Sequence, residues 1–422
     1  MQISKERDTK RFEGAMPGFP DDSYLCFFWK GRVALYAILK ALGVGPGDRV
    51  LVPGYTCVVV PAAVCFLNAQ PVYADIDPDT YNLSLRGIQT ACGGNHERLK
   101  AVVVQHTYGL PADTAPIVSW ARKEGIAVIE DCCHALGGRY LNNTGQWQEV
   151  GTLGDAAFFS SQWSKPVSTG LGGWTLTRSA HLAQRLRSFH EQECVSPPWT
   201  ECTGLAAQVG AWALVSSPRS YWTAQSIYRF LSRKGIAIGS SVEAELRGEM
   251  PKGYAKRMSS FQHRLLQWKL ARLDGEVRHR RRLKEVYDRC LARVGFPVLG
   301  ALQYAEPVLL RYPVRVSNKS EVLARAREER VEIGDWFDQP LHPKESDQRV
   351  FGYRQGMCRN AEAAADQVVN LPMHMRINDK LAEKIVLFLA GTVPNAVSEE
   401  VKLSGSTRRD RVPKSEAIRS SS

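Results

Sequence analysis

Residues 155–178 read DAAFFSSQWSKPVSTGLGGWTLTR. The ends of this stretch, DAAFFSS (155–161) and GGWTLTR (172–178), are short runs of aromatic, apolar and small residues that suit buried strands. Between them stands Lys165, with hydroxyl side chains on both sides and Gly170, Gly172 and Gly173 beyond it. Glycines permit a tight return into the next strand. Taken alone, Lys165 reads as a solvated surface lysine, because charged side chains are mostly exposed. The alternative is an amine held at a strand end for chemistry.

Strands and helices alternate on the N-terminal side. GRVALYAILKAL (31–42) has the spacing of an amphipathic helix, with Val33, Leu35, Ile38, Leu39 and Leu42 apolar. The strand RVLVP (49–53) follows, then a helix over 58–68 and the strand PVYADI (71–76). AVVVQH (101–106) is a buried-strand run, APIVSWARKEG is a helix closed by Gly125, and AVIED (127–131) is the next strand. This alternation predicts an α/β unit on a mixed, mostly parallel sheet, closest to regular over 25–190. Residues 195–255 are broken by PP, SSP and GSS around the aromatic segment WALVSSPRSYW. A long helix is expected over 257–293. Beyond it come a strand in PVLLRYPVRV (307–316) and helices in KSEVLARAREER (319–330) and DKLAEKIVLFLA (379–390). The expected organisation is an N-terminal segment (1–24), a large α/β domain (25–255), a long helix with a smaller C-terminal α/β domain (256–395), and a polar, serine-rich disordered tail (396–422).

Composition sets bounds. The chain has 422 residues, 44% hydrophobic and 23% charged. It resembles an ordinary soluble globular protein with ample material for a core. Length alone would suggest about three domains. The first twenty residues hold no apolar signal core, and no stretch approaches a bilayer span. Ten scattered cysteines form no CxxC pair, so no zinc or thioredoxin-like motif is expected, and they fit a reducing cytoplasm. The formal charge of +12 suits anionic small molecules as well as nucleic acid or a membrane. Its densest run, Arg278 to Lys284, continues the helical pattern of Leu266, Leu270, Leu273 and Val277 and reads as a solvated helix face. No aromatic–basic RNA signature accompanies it.

Asp131 closes the strand AVIED. Open α/β sheets bind ligands beyond the carboxyl ends of their strands, although a helix N-cap would use the same residue type. Ser160 ends another strand, five residues before Lys165. A carboxylate to partner a pyridinium, a hydroxyl for a phosphate and an imine-forming amine are the three functions that a pyridoxal phosphate enzyme needs. GLGG is not a dinucleotide fingerprint, and no P-loop is present.

The run KGRVALYAILKALGVGPGDRVLVPGYTCVVVPAAV, then AQPVYADIDPDTYNLS, VVVQHTYGLPAD, VIEDCCHALGGRY and GDAAFFSSQWSKPVSTGLGG, resembles in order the DegT/DnrJ/StrS nucleotide-sugar aminotransferases. The likeness is close over about 25–180. It resumes in GYAKRMSSFQHRLLQWKLARLD (253–274) and in VVNLPMH (368–374). The resemblance implies the pyridoxal-phosphate-dependent transferase fold of type I. It makes Lys165 the Schiff-base lysine, Asp131 the pyridine-nitrogen partner, His134 a contact of the ring hydroxyl and Ser160 a phosphate ligand. Gly31 and Arg32 fall at the helix start that faces the phosphate, where unpaired N–H groups suit an anion. Cys133 falls at a small residue packed on the ring.

Departures are equally plain. Lys30-Gly31-Arg32 stands where the family has Ser-Gly-Thr, and Cys57 stands where it has a stacking aromatic, so Tyr55 or His106 is a candidate for the lost ring contact. The family's Gly-x-Asn-x-Arg loop, which reaches the neighbouring subunit's phosphate, reads Gly253 to Arg257 without the asparagine. Arg32, Lys256 or Arg257 would then carry part of the phosphate binding. The resemblance implies a cytoplasmic homodimer with shared sites. It would transfer nitrogen from an amino acid, expected to be glutamate, through pyridoxamine phosphate to a keto group on a nucleotide-linked sugar, with no metal, nucleic acid or membrane partner. A non-sugar ketone as acceptor, and a regulatory protein on the same fold, are the alternatives. For Trp336, Asp338, His106 and His374 both packing and functional readings stand.

Overall fold

The computed structural model describes residues 19–142, 145–215, 239 and 242–393. The chain start through residue 18, the later part of WALVSSPRSYW and the polar tail lie outside the described residues.

β1 (Tyr24–Phe28) leads through Lys30 into α1 (Gly31–Ala41). Then come β2 (Arg49–Pro53), the short β3 (Thr56–Cys57), α2 (Val59–Cys65), β4 (Gln70–Ala74), α3 (Leu85–Cys92), β5 (Leu99–Gln105), α4 (Thr114–Glu124) and β6 (Ala127–Asp131). The pair β7 (Arg139–Leu141) and β8 (Trp147–Glu149) precedes β9 (Ala156–Ser160) and β10 (Gly173–Thr177). The chain continues through α5 (Ala180–Gln192), α6 (Trp199–Val215), α7 (Glu243–Leu246), α8 (Ser260–Leu270) and α9 (Leu273–Arg293). The C-terminal part holds β11 (Ala305–Glu306), β12 (Arg311–Arg315), α10 (Lys319–Glu328), β13 (Leu341–His342), α11 (Arg359–Gln367), β14 (Val368–Pro372) and α12 (Asp379–Thr392).

Among the described residues, seven strands form the central sheet in the order β1-β10-β9-β6-β5-β2-β4. From β9 to β4 every pairing is parallel, while β10 runs antiparallel between β9 and β1. The expected α/β fold with a mixed, mostly parallel sheet is present. The run of parallel strands follows from the helices between them, since a parallel partner needs a crossover. Ends obey local chemistry: Ser84 accepts from the Gly87 N–H at the start of α3, and Gly125 closes α4 in the left-handed conformation.

Three expectations change. α1 is not half-solvated. Of its eleven residues only Lys40 escapes burial, because the helix sits between the sheet, α2 and α5. The single helix expected over 257–293 is two, α8 and α9, broken at Ala271 and Arg272. The basic run on α9 is also not a solvated face throughout. Arg280 is buried, pairs with Glu276 and donates from Nη1 to the Leu309 and Leu310 carbonyls at 2.8 and 3.2 Å. Arg281, Arg282 and Lys284 pair with Glu306, Asp379 and Asp288.

The C-terminal segment is tied to the large sheet's side of the molecule. β13 pairs in parallel with β3, matching Leu341 with Thr56, and β11 pairs with β7. One apolar core runs through both parts, from Phe28, Val33 and Ile38 to Tyr312, Leu371 and Leu389. Among the described residues no helix is long and apolar enough to cross a membrane.

Candidate active site

Asp131 ends β6 and Ser160 ends β9, side by side at the carboxyl edge of the sheet. Successive residues of a strand face opposite ways. Asp131 therefore faces a cavity of about 320 Å³, and its neighbour Glu130 faces the other side. Gly31, Arg32, Asp131, His134, Ser160 and Lys165 all line this cavity, as do Cys57 and Cys133. Its far wall comes from the C-terminal part: Arg311, Trp336 and His342.

The loop that carries Lys165 is closed by the hydroxyl and glycine residues around it. Ser161 Oγ and Thr169 Oγ1 are 2.7 Å apart, and the Thr169 N–H donates to the Ser161 carbonyl. The Ser161 N–H donates in turn to the Gly172 carbonyl. Any side chain at 172 would meet Ser161 Oγ at 2.1 Å, so only glycine lets the loop shut. Within this closed loop Lys165 is half-buried, and its Nζ lies 4.6 Å from the centre of the Trp336 ring. Burial lowers the Lys165 pKa, against the opposing pull of Cys133 and Asp131. A lowered pKa makes an amine more nucleophilic near neutral pH, because more of it is unprotonated.

Asp131 Oδ1 accepts from the Cys133 N–H at 3.0 Å, which orients the carboxylate. Burial raises its pKa, opposed by the Cys133 hydrogen bonds and by Lys165. His134 accepts from the Tyr108 N–H at Nδ1, leaving Nε2 as the N–H donor of a neutral ring. Burial holds its pKa well below the usual value, with Lys165 and Arg311 adding to the effect.

At the other end of the cavity, α1 begins. No side chain caps its first turn, so backbone N–H groups there remain available to an anion. Gly31 could hold no side chain, since a Cβ would meet Ser160 Cβ at 2.8 Å. Gly173 is tighter still, with a Cβ 2.2 Å from Gly31 Cα. These two glycines let the helix start press directly on β9 and β10. Arg32 Nη1 lies 2.6 Å from Glu245 Oε2, a buried ion pair.

Two of the candidate phosphate ligands are not brought to this cavity. Lys256 Nζ lies 2.7 Å from both oxygens of Glu201, and Arg257 donates to the carbonyls of His190 and Glu191. Neither lines the cavity of its own chain. Tyr55 and His106 do not supply a ring contact either: Tyr55 is fully buried against the Tyr108 hydroxyl, and His106 bonds Glu130. Aromatic surface comes instead from Trp336 and His134, whose rings are 4.7 Å apart. Asp338 holds His342 Nδ1 at 2.6 Å, so it acts on the cavity through His342. His374 pairs with Glu332, away from the cavity wall.

Sequence reasoning missed Glu130, Arg311 and His342. Glu130 had a signal: a carboxylate inside a buried strand needs donors. Its oxygens take N–H groups from Gly151, Leu153 and Gly154, the Tyr140 hydroxyl and His106 Nε2. His106, Glu130 and Cys132 are close enough to ligate a metal. Five donors already occupy the carboxylate, however, and burial pushes the Cys132 thiol well up, so the cluster is read as structural. Arg311 had no signal in RYPVR.

The donor set suits pyridoxal phosphate: a half-buried amine, a carboxylate within the same cavity, and a glycine-floored helix start with a hydroxyl and a guanidinium beside it. The protein also has relatives. The curated relative MosB of Rhizobium meliloti is 40% identical over 178 residues, 42% of this chain but 34% of MosB. So this match spans about a third of that protein. A UDP-N-acetyl-3-dehydro-α-D-glucosamine 3-aminotransferase of Acidithiobacillus ferrooxidans is 27% identical over 365 residues, covering 86% of this chain and 82% of that protein. Among solved structures, a DegT/DnrJ/EryC1/StrS aminotransferase from Brucella abortus superposes with a TM-score of 0.67 at 22% identity, covering 92% of this chain and 89% of that one. The fold is that of the fold type I aminotransferases. Residues 2–211 and 223–389 match one family across nearly the whole length, and the chain belongs to the DegT/DnrJ/EryC1/StrS aminotransferase family.

Proposed function

We propose that the protein is a pyridoxal-phosphate-dependent aminotransferase that moves nitrogen from an amino acid, with glutamate the first candidate, to a keto group on a nucleotide-linked sugar. One observation carries this reading: Lys165 and Asp131 line the same cavity as the uncapped start of α1. The cofactor, when bound, supplies an electron sink for the carbon that loses or gains nitrogen. The chain's residues do the rest. Lys165 would be the amine that holds the cofactor through its aldehyde carbon and the group that carries the proton. Asp131 would partner the ring nitrogen and keep it protonated. His134, held neutral with Nε2–H as donor, is placed to bond the ring hydroxyl. Gly31, Arg32 and Ser160 are assigned to the phosphate, as charge-assisted bonds at a helix start favour a dianion. Cys133, which lines the cavity, would pack against the ring.

The reading includes a homodimer in which Lys256 or Arg257 reaches the partner's site, since neither lines its own. It places the enzyme in the cytoplasm, where ten cysteines outside any disulfide persist. The relatedness to a sugar-nucleotide aminotransferase supports the acceptor class. The test is a visible absorption spectrum of the wild type beside Lys165→Ala, before and after glutamate. A yellow band in wild type alone, bleached by glutamate, is expected. No band in either protein after adding pyridoxal phosphate would overturn the reading and bring a regulatory role forward. Bleaching followed by amination of simple ketones but no sugar nucleotide would move the acceptor to the non-sugar class.

A further inference from the structure

The start of α1 carries a charge triad with one more cation than anion. Lys30 stands at the N-cap and Arg32 in the first turn, where the helix dipole favours an anion and disfavours a cation. The anion is Glu245, from α7, which rests on α2. Glu245 Oε2 lies 2.6 Å from Arg32 Nη1 and 3.8 Å from Lys30 Nζ, and it accepts the Val242 N–H at 3.0 Å. The side chains of Arg32 and Glu245 are only 5% and 2% exposed, so water does little to screen the pair. Burial, and then Arg32, push the Lys30 pKa down to about 8 against the pull of Glu245, so the two cations crowd each other.

Lys256 repeats the arrangement beside it. Its carbonyl accepts the Trp29 N–H, and its Nζ pairs with Glu201. Both acids come from the broken stretch 195–255. Of the two cations held this way, Arg32 is the one that lines the cavity. A phosphate at the start of α1 would draw on the same guanidinium that Glu245 already holds. Two anions on one guanidinium repel each other, and the repulsion is strong where water is excluded. Without a phosphate, however, the carboxylate offsets two cations that the helix start disfavours.

We propose that Glu245 is an internal stand-in for the cofactor's phosphate: it holds Arg32 in the cofactor-free protein, weakens the grip of the site on the phosphate and so keeps the cofactor exchangeable. This rests on the aminotransferase reading, which assigns the phosphate to the start of α1. Glu245 is a positioning residue, since it acts through Arg32. Loss of its charge then has two effects of opposite sign. The cofactor-free protein becomes less stable, and phosphate binds more tightly. A carboxylate with a purely structural role would lower both.

The test uses the full-length protein, freed of any bound cofactor, as wild type, Glu245→Gln and Glu245→Asp. Calorimetric titration with pyridoxal phosphate, pyridoxal and inorganic phosphate reads binding apart from turnover. Glu245→Gln keeps the shape and drops the charge. Its thermal transition without ligand is expected to fall by about 2–5 °C, while pyridoxal phosphate and inorganic phosphate bind ~10-fold more tightly. Glu245→Asp, with the carboxylate drawn back by one methylene, should lie in between. Pyridoxal, which lacks the phosphate, should bind as it does to wild type. In an Arg32→Gln background most of the gain from Glu245→Gln should disappear, because the two residues are coupled. Phosphate affinity that is unchanged or weaker in both Glu245 variants would overturn the inference while leaving the aminotransferase reading intact. An equal gain for pyridoxal would also overturn it, since the effect would not run through the phosphate. If wild type and every variant fail to bind pyridoxal phosphate, the aminotransferase reading itself fails, and inorganic phosphate still scores Glu245 on its own.

Discussion

Lys165, half-buried, and Glu130, fully buried, are both ionisable groups, and their surroundings give them opposite tasks. Burial lowers the Lys165 pKa from that of a free lysine, so its amine is unprotonated over a wider pH range. The sign is fixed: capture of pyridoxal phosphate, which needs the unprotonated amine, should persist at pH values well below 10.5. The check is the pH dependence of the visible band's rate of appearance. A profile following that of free lysine would contradict the assignment. Glu130 is held ionised instead. Burial opposes the charge, but His106 and the backbone N–H groups outweigh it and lower the pKa. Glu130→Gln would turn an amide NH2 toward some of five donors, so a loss of about 3–5 kcal/mol is expected in urea unfolding. The sequence exposed Lys165 and Asp131 because motif order singles them out. It hid Arg311, because only its place beside Trp336 in the folded cavity distinguishes that arginine from many others.

Elements were legible where period and caps agreed. β5, β6, α4 and β9 lie close to where alternation and Gly125 place them. The break between α8 and α9 was not, because Leu270 and Leu273 are buried on either side and the apolar pattern runs on through it. The seam of α1 with β9 and β10 is half visible in the sequence: Gly31 and Gly173 stand out, but their mutual contact depends on a distant strand pairing. Gly173→Ala should force the helix start away from β10, costing about 1–3 kcal/mol, and should weaken pyridoxal phosphate binding more than that loss alone explains. Urea unfolding beside a cofactor titration would separate the two effects. α5 makes a second seam, where His190 Nε2 lies 3.1 Å from the Phe27 carbonyl of β1. Burial, aided by Arg257, lowers the His190 pKa from 6.5 to about 4. The unfolded chain then binds the extra proton first, so this residue's contribution to stability falls as pH drops from 6.5 toward 4. Its full size would be about 3 kcal/mol. A His190→Gln variant should show a flatter stability profile over that window, and an unchanged slope would exclude His190 as the cause.

At the scale of the molecule, charge and core were only partly readable. A net charge of +12 suggested an anionic partner, yet much of the basic run on α9 is spent internally on Glu276, Glu306, Asp379 and Asp288. The division near residue 255 follows the change in sequence pattern, but one core crosses it, because β13 lies against β3 and α9 packs on α12. Such a core holds the two walls of the cavity, Lys165 on one side and Arg311 on the other, in fixed relation. What it does not do is bring Lys256 into that cavity. If the active assembly is a two-fold dimer with each Lys256 serving the partner's phosphate, the two defects must complement across subunits. Lys165→Ala and Lys256→Ala should each lower activity as pure dimers, the second mainly through weaker cofactor binding. Unfolded together and refolded in equal amounts, they should assort at random, so about a quarter of all sites would regain both wild-type residues. Activity rising toward that fraction supports a shared site. A mixed sample no more active than the mean of its parents, with dimers confirmed by sedimentation, would place Lys256 outside the catalytic assembly and leave Arg32 as the protein's own cation for the phosphate.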